Sequence, residues 1–174
     1  MSKRCKLLLI YLSALVILAT VAFNQSALIG WWRGEAKYKG RYTNSWRAEL
    51  RTYKYRGYAY FGCWGSSDSI WFFEREPSKW EECLKKVLPK GFRAKKDSTP
   101  PLRDGDAEAI SVLIELLEAP EQNVRIQAAN GLERAGEAAR DAIPALLAML
   151  KMQDWEAAIA ARQALRAIDP KFDE

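Results

Sequence analysis

The chain has 174 residues, 49% of them hydrophobic, a formal net charge of +5 and no histidine. That length holds one ordinary domain or two small modules with a linker, and the apolar fraction is that of packed cores rather than a disordered tail. Without histidine the commonest general base, the commonest zinc ligand and every Ser-His or Cys-His nucleophile are excluded. There is also no Cys-x-x-Cys and no glycine-rich phosphate loop, so no catalytic, cofactor-binding or metal-ligating residue is expected. Acid pairs such as Glu81-Glu82 are explained as solvated helix faces and caps.

Charge is distributed in blocks. Residues 1–27 carry three basic side chains and no acid, residues 28–105 carry 17 Lys or Arg against 9 acids, and residues 106–174 carry 7 against 13. A change of sign near residue 105 predicts a domain border, with different neighbours on its two sides. The expected organisation is a membrane-directed segment over 1–27, a basic aromatic-rich module over 28–96, a linker over 97–105 and a helical domain over 106–174.

Lys3, Arg4 and Lys6 precede an apolar run from Leu7 to Phe23, 17 residues long. This length is short for a spanning helix and long for the core of a cleaved signal, which favours an uncleaved single-pass anchor. Cleavage after Ala22, releasing an exported soluble body, is the alternative. The basic-apolar order favours a body outside the cytoplasm, although Arg33, Lys37, Lys39 and Arg41 nearly balance the positive charge ahead of the run. With the body in the cytoplasm, those charges would face anionic lipid head groups.

Six of the seven tryptophans fall between residues 28 and 96. Trp31 and Trp32, with Arg33 beside them, suit the membrane interface, or else pack on the body. Thr43 and Asn44 can cap a short helix running to about Tyr53, with Trp46 and Leu50 on one face. Gly57 to Trp64 and Ser69 to Arg75 read as two strands joined by a loop over Gly65 to Asp68. Ser78-Lys79-Trp80-Glu81 is a capping box, and Trp80, Leu84, Val87 and Leu88 form the stripe of the helix that follows. Cys63 and Cys83 can pair if the body is exported, or stay as two separate thiols. Basic residues among aromatics, chiefly Arg33, Lys37, Lys39, Arg41, Lys85 and Lys86, could grip an anionic lipid or glycan, while nucleic acid is disfavoured because no nucleic-acid motif is visible. A small folded module with aromatics inside and cations outside explains the same pattern.

The C-terminal part repeats itself. Ala109-Ile110-Ser111-Val112-Leu113-Ile114-Glu115-Leu116-Leu117 returns 33 residues later as Ala142-Ile143-Pro144-Ala145-Leu146-Leu147-Ala148-Met149-Leu150. Val124, Ile126, Ala128 and Leu132 are answered by Ala157, Ile159, Ala161 and Leu165 at the same offset. A period of this length predicts stacked helical hairpins that share one apolar seam. The first hairpin is expected from an N-cap at Asp104 or Asp106 through Leu117, returning over Gln122 to Ala135 with Gly136 as C-cap. The second presents Ile143, Leu146, Leu147 and Leu150, turns at Met152-Gln153-Asp154 and returns from Trp155 to Ile168. Leu113, Leu117, Leu132, Leu146 and Leu165 are the seam, and Arg125 is expected to bond an acid in the neighbouring turn, with ligand contact as the alternative.

Leu116-Leu117, Val124-Arg125, Ala128-Ala129, Leu132, Gly136 and Ala142-Ile143-Pro144-Ala145-Leu146-Leu147 together resemble the HEAT repeat in its bacterial, phycobilisome-lyase-like form, over residues 106–169. The second unit departs from the pattern, with Ala157-Ala158 where Val-Arg is usual and Asp169 in place of the closing glycine, as in a terminal repeat. Tyr38-Lys39-Gly40-Arg41 with Trp46 and Leu50 is similar to a short segment that precedes HEAT repeats in some membrane-anchored bacterial proteins of unknown role. The resemblance implies scaffolding or protein binding, with bilin lyase activity confined to a subset of relatives.

The fold class expected is therefore mainly α: a short α-solenoid of about two HEAT-like hairpins, preceded by a small aromatic-rich α+β or irregular module and an N-terminal membrane helix. The function expected is non-enzymatic binding of a protein partner of unknown identity. The alternatives are an anionic-polymer or lipid-binding module and a pigment-lyase-like enzyme. Two hairpins fall below the roughly three that make a stable stack. The middle module is expected to cover the open end, with the Trp80–Leu88 helix as the cap.

Overall fold

A computed structural model describes residues 11–16, 18–20, 25–63, 66–87 and 100–172, with the backbone alone for 58–63, 66–70 and 84–87. In chain order the elements are α1 (Tyr11–Thr20), α2 (Gln25–Arg33), β1 (Lys37–Tyr38), β2 (Arg41–Tyr42), α3 (Thr43–Leu50), β3 (Tyr53–Cys63), β4 (Ser66–Arg75), α4 (Lys79–Val87), α5 (Ile110–Leu117), α6 (Gln122–Ala135), α7 (Ile143–Leu150) and α8 (Trp155–Ile168). Short 3-10 turns at Ala107–Ala109 and Gly136–Ala142 lead into α5 and α7. The fold is mostly helical, with two small antiparallel sheets, β1–β2 and β3–β4.

The 33-residue echo becomes two helical hairpins, α5–α6 and α7–α8, stacked chiefly through α6 against α8. Leu113, Leu132, Leu146 and Leu165 are fully buried and Leu117 nearly so, joined by Val112, Leu116, Met149 and Ile168. Buried Ala128, Ala129, Ala157, Ala160, Ala161 and Ala164 keep the cross-section small where the second helices meet. Both return helices have the expected bounds, and Gly136 closes α6 at φ +55°, where its N–H reaches the carbonyls of Leu132 and Glu133. That left-handed conformation suits glycine. Asp154 caps α8 by accepting from the Ala157 N–H.

Several expectations are corrected. Leu147, expected on the apolar stripe of the second hairpin beside Leu146, is 38% exposed, and Met149 is buried instead. Helix α5 starts at Ile110 without a side-chain cap from Asp106, because that carboxylate is taken by Tyr38 and Lys39. Helix α3 ends at Leu50 and the chain turns straight into β3 at Tyr53. Neither Thr43 nor Asn44 caps α3, since Thr43 Oγ1 donates to Glu115 and Asn44 Nδ2 donates to the Ser26 carbonyl. The strands run closer to each other's ends than expected, so that Ser66, Ser67 and Asp68 belong to β4 rather than to a loop. A bulge at Arg56 shifts the register between Tyr55 and Gly57. From Pro100 onward the expected linker lies against α6, where the Leu102 carbonyl sits 2.7 Å from the place a Cβ on Gly131 would occupy. Residues 97–99 of that linker, and Trp64 and Leu88, lie outside the described residues.

The capping box of α4 forms as read: the Ser78 N–H donates to Glu81 Oε2 at 2.7 Å and the Glu81 N–H to Ser78 Oγ at 3.2 Å. Yet α4 is not the cap of the stack. Trp80 is 79% exposed, and the element laid on the first hairpin is α3, which touches α5 and α6, with β1 beside it on α5. Trp46 and Leu50 are the reason. At i and i+4 on a two-turn helix they give α3 an apolar stripe, and both are buried against the stack. Burial of α6 follows from this, because it is enclosed by α5, α8, α3 and β3, and every residue from Ile126 to Leu132 is buried.

Among the described residues no single helix is long and apolar enough to cross a membrane; α1 and α2 reach that length and composition only as a pair bent by 61°. The side chains of Tyr11, Leu12, Leu15, Val16 and Leu18 on α1 are all more than half exposed.

Candidate functional site

The blocks of opposite charge meet each other. At the first hairpin Arg47 makes a two-pronged bond to Glu121, 2.8 Å from Nε to Oε2 and 2.9 Å from the second nitrogen to Oε1, and Arg51 adds a third contact at 3.3 Å. Glu115 receives the Ala36 N–H at 2.8 Å on one oxygen and the Thr43 hydroxyl on the other. Asp106 accepts from the Tyr38 hydroxyl and from Lys39 Nζ, the latter at 3.2 Å. These bonds hold Glu121 below the usual carboxylate range through Arg47, and Asp106 below it through Tyr38 and then Lys39. Burial, followed by the hydrogen bond to Asp106, raises the Tyr38 hydroxyl.

The same device operates between the two hairpins. Arg125, with its side chain only 12% exposed, donates to Asp154 Oδ2 at 2.7 Å and to the carbonyls of Ala119 and Pro120 at 2.9 Å each. Gln122 Nε2 reaches Asp154 and Glu156 alongside. Asp154 is the counterpart, one 33-residue period on, of Glu121. Each hairpin thus receives an arginine on its turn acid from the unit before it, and α3 supplies that arginine for the first. One period beyond Gln122 and Arg125 stand Trp155 and Ala158, so the arginine of the ladder ends with the second hairpin.

The strand pair covers a second surface. Tyr55, Trp71 and Phe73 form a ring cluster, with centroids 5.5 Å apart for Tyr55–Trp71 and 6.1 Å for Tyr55–Phe73. Trp71 Nε1 donates to Gln163 on α8 at 2.9 Å, and the Tyr55 N–H to Asn123 on α6 at 3.3 Å. Gln127 Nε2 donates to the Leu50 carbonyl at 3.1 Å, satisfying one of the acceptors left open at the end of α3. The base of the hairpin therefore lies across both return helices, the broad face that a helical-repeat stack ordinarily leaves open to a partner.

Besides those of α1 and the single residues Phe72 and Trp80, the large apolar side chains exposed among the described residues stand at two places. Around the α7–α8 turn Leu147, Met152 and Trp155 are 38%, 40% and 59% exposed. On α2, Trp31 and Trp32 are 71% and 81% exposed, with Leu28 and Ile29 half-exposed.

The basic residues singled out from the sequence divide. Lys39 is bonded to Asp106 and lies over the Tyr38 ring, and Arg41 stacks on Trp46 at 4.1 Å while bonding Glu49 and Ser45. Lys37 lies exposed near the Tyr42 ring, and Arg33 stands 4.0 Å from Glu35. The Lys85, Lys86 and Cys63 side chains lie outside the described ones, and Cys83 is an exposed free thiol. Arg47, Glu115, Glu121, Gln127 and Gln163 were not singled out. The repeat could have found Glu121, whose position matches Asp154.

Residues 101–166 match a family model described as HEAT repeats. The matched stretch takes in α5, α6, α7 and most of α8 and is similar to that repeat; α2, α3 and the β3–β4 hairpin lie outside it. No curated protein and no solved structure matches the chain.

Proposed function

We propose that this chain is a non-enzymatic, membrane-attached interaction protein whose HEAT-like stack presents its far end, around the α7–α8 turn, to a protein partner. The observation that supports this most is the difference between the two ends. The near end is closed by α3 through Arg47 and Glu121, the broad return-helix face lies under the strand pair, and the far end carries Leu147, Met152 and Trp155 at the surface. Large apolar side chains grouped at one place mark protein contact more often than singly scattered ones, and aromatic anchors carry much of such binding.

Attachment through the N-terminus rests on the apolar run Leu7–Phe23 and the exposed apolar side chains of α1. A single-pass anchor with the body outside the cytoplasm is the arrangement proposed. Binding of an anionic polymer or lipid through the basic set is the weaker reading, because Lys39 and Arg41, two of its six residues, already serve internal acids.

A photoreactive phenylalanine analogue placed at 147, 152 or 155 of the full chain in its native membrane tests the reading, with positions 47 and 118 as controls. Adducts of one defined mass at the far-end positions and none at the controls are expected, and Met152→Asp should abolish the adduct formed at 155. Equal labelling at both ends, or labelling at the controls alone, would refute it.

A further inference from the structure

Helix α2 packs one face on the body and leaves Leu28, Ile29, Trp31 and Trp32 exposed on the rest. Gly30 is pressed on Tyr42 so closely that a Cβ there would lie 2.4 Å from the Tyr42 Cβ. On the same side Asn44 Nδ2 donates to the Ser26 carbonyl at 2.8 Å, the Glu35 N–H donates to the Gly30 carbonyl at 3.0 Å, and the Asn44 N–H donates to Glu35 Oε2 at 2.8 Å. These contacts clamp one face of α2 to the start of α3. At about 100° per residue, Leu28 and Trp32 fall opposite Gly30, with Trp31 and Ile29 on the flanks. The outward arc is therefore apolar apart from Gln25 in the first turn, and it carries Trp31 and Trp32 at 71% and 81% exposed.

The geometry points to α2 lying in the head-group layer of a lipid bilayer, with Leu28, Trp31 and Trp32 inserted and Gly30 docked on the body, so that the far end of the stack is held in a set orientation to the membrane. This deepens the membrane-attached reading and rests on it. Three observations choose lipid as the occupant. The arc follows the apolar run Leu7–Phe23 and the exposed apolar side chains of α1 after only Asn24, Gln25 and Ser26. Exposed Arg33 and Lys37 stand beside it, long cationic side chains that suit the head-group phosphates of either leaflet. Finally, tryptophan beside a membrane segment favours the interface, where its ring is apolar and its N–H stays wet. The docked face settles the depth: Glu35, Asn44 and the Ser26 carbonyl would lose water if α2 were in the hydrocarbon, a cost no spanning structure leaves unmet. The bend of 61° between α1 and α2 fits a helix turning from the bilayer into its surface.

The test uses the full chain in nanodiscs of phosphatidylcholine and phosphatidylglycerol with bromine at shallow or deep acyl positions, reading tryptophan quenching. Shallow bromine should quench more than deep bromine, and the W31F/W32F double variant should lose most of that difference. A chain that stays in the nanodiscs while the double variant quenches like the wild type overturns the α2 inference alone. A chain that does not enter nanodiscs overturns the membrane reading with it. Gly30→Leu tests the clamp separately: shallow quenching should be retained while the amides of Glu35 and Asn44 lose hydrogen-exchange protection, and unchanged protection would overturn the docking of α2 on the body.

Discussion

The two ends of the stack are built from the same hairpin and finished in opposite ways. At the near end the turn acid Glu121 is held by Arg47 of α3 and by Arg51 just after it, and Leu50 is fully buried between the modules. At the far end the ladder positions hold Ala158 and Trp155, and Leu147 and Met152 reach the surface. A stack this short borrows the chemistry of a missing repeat to close one end. The helix that lends it, α3, lies outside the repeat match at 101–166 and imitates a repeat only in the apolar stripe and the arginine it offers. This changes the meaning of the charge blocks: the basic middle and the acidic C-terminal part are neighbours of each other before they are neighbours of anything else.

The harshest way to break the comparison is to remove the near-end cap. A fragment of residues 100–174 loses the cover over α5 and α6 and strands Glu115, Glu121 and Gln127 without the partners they have in the whole chain. It is expected to unfold at much lower denaturant concentration than the chain from residue 25 onward, with a broader transition. Equal midpoints would mean that the cap is ornamental. Leu50→Ala makes the same point with one side chain: a fully buried leucine truncated at the seam between modules costs about 2–5 kcal/mol. Leu147→Ala at the far end should stay within about 0.5–1 kcal/mol, because much of that side chain is already in water. Similar losses at the two sites in urea titrations would erase the distinction between the ends.

The hairpins were legible because helical periodicity and the 33-residue echo both report burial, and burial in α5 to α8 is decided largely by each residue's own helix face. Gly136 was legible for a local reason, its left-handed φ. The cap was only half legible. The need for it followed from counting hairpins, and the Trp46–Leu50 stripe was visible, but the choice between α3 and α4 depends on which stripe finds a surface. Trp80 has the better-capped helix and remains 79% exposed. Leu147 was misplaced because the inward face of α7 runs through Leu146 and Met149, as that of α5 runs through Leu113 and Leu116 one period earlier, and Leu147, like Ile114, stands at the edge of that face. Pairings such as Trp71–Gln163 join residues 92 positions apart and leave no trace in any local pattern.

The arginines rank next. Arg125 is mostly buried and bonds one carboxylate and two carbonyls, so Arg125→Ala should cost about 1.5–3 kcal/mol. Arg47 makes its two-pronged bond with 37% of its side chain in solvent, which puts Arg47→Ala at about 0.5–1 kcal/mol. A double-mutant cycle of each with its acid, Asp154 or Glu121, separates the pair from the lost packing. If the coupling for Arg47–Glu121 exceeded that for Arg125–Asp154, the cap would be the stronger joint and the ladder between hairpins the weaker one.

The smallest effect is in the pH dependence and belongs to the near end. Glu121 has a folded-state pKa below the ordinary value near 4.5, caused first by its hydrogen bonds to Arg47, so the unfolded chain binds its proton more readily than the folded one. The stability this supplies is complete above about pH 4.5 and is lost as pH falls through the folded value. Asp106, lowered by Tyr38 and then Lys39, adds in the same direction below its ordinary value of 3.8. Tyr38 acts at the other limit: its raised pKa supplies stability that is complete below pH 10 and is lost as pH rises through the folded value. The near-end joint is therefore strongest across the neutral range and weakens at both extremes. Glu121→Gln should flatten the acid limb of an unfolding free-energy profile below pH 4.5 while leaving neutral stability only slightly reduced, and Asp106→Asn should flatten it further at lower pH. An acid limb unchanged in the double variant would place the acid sensitivity elsewhere, and the cap would then rest on Leu50 and Trp46 rather than on its charges.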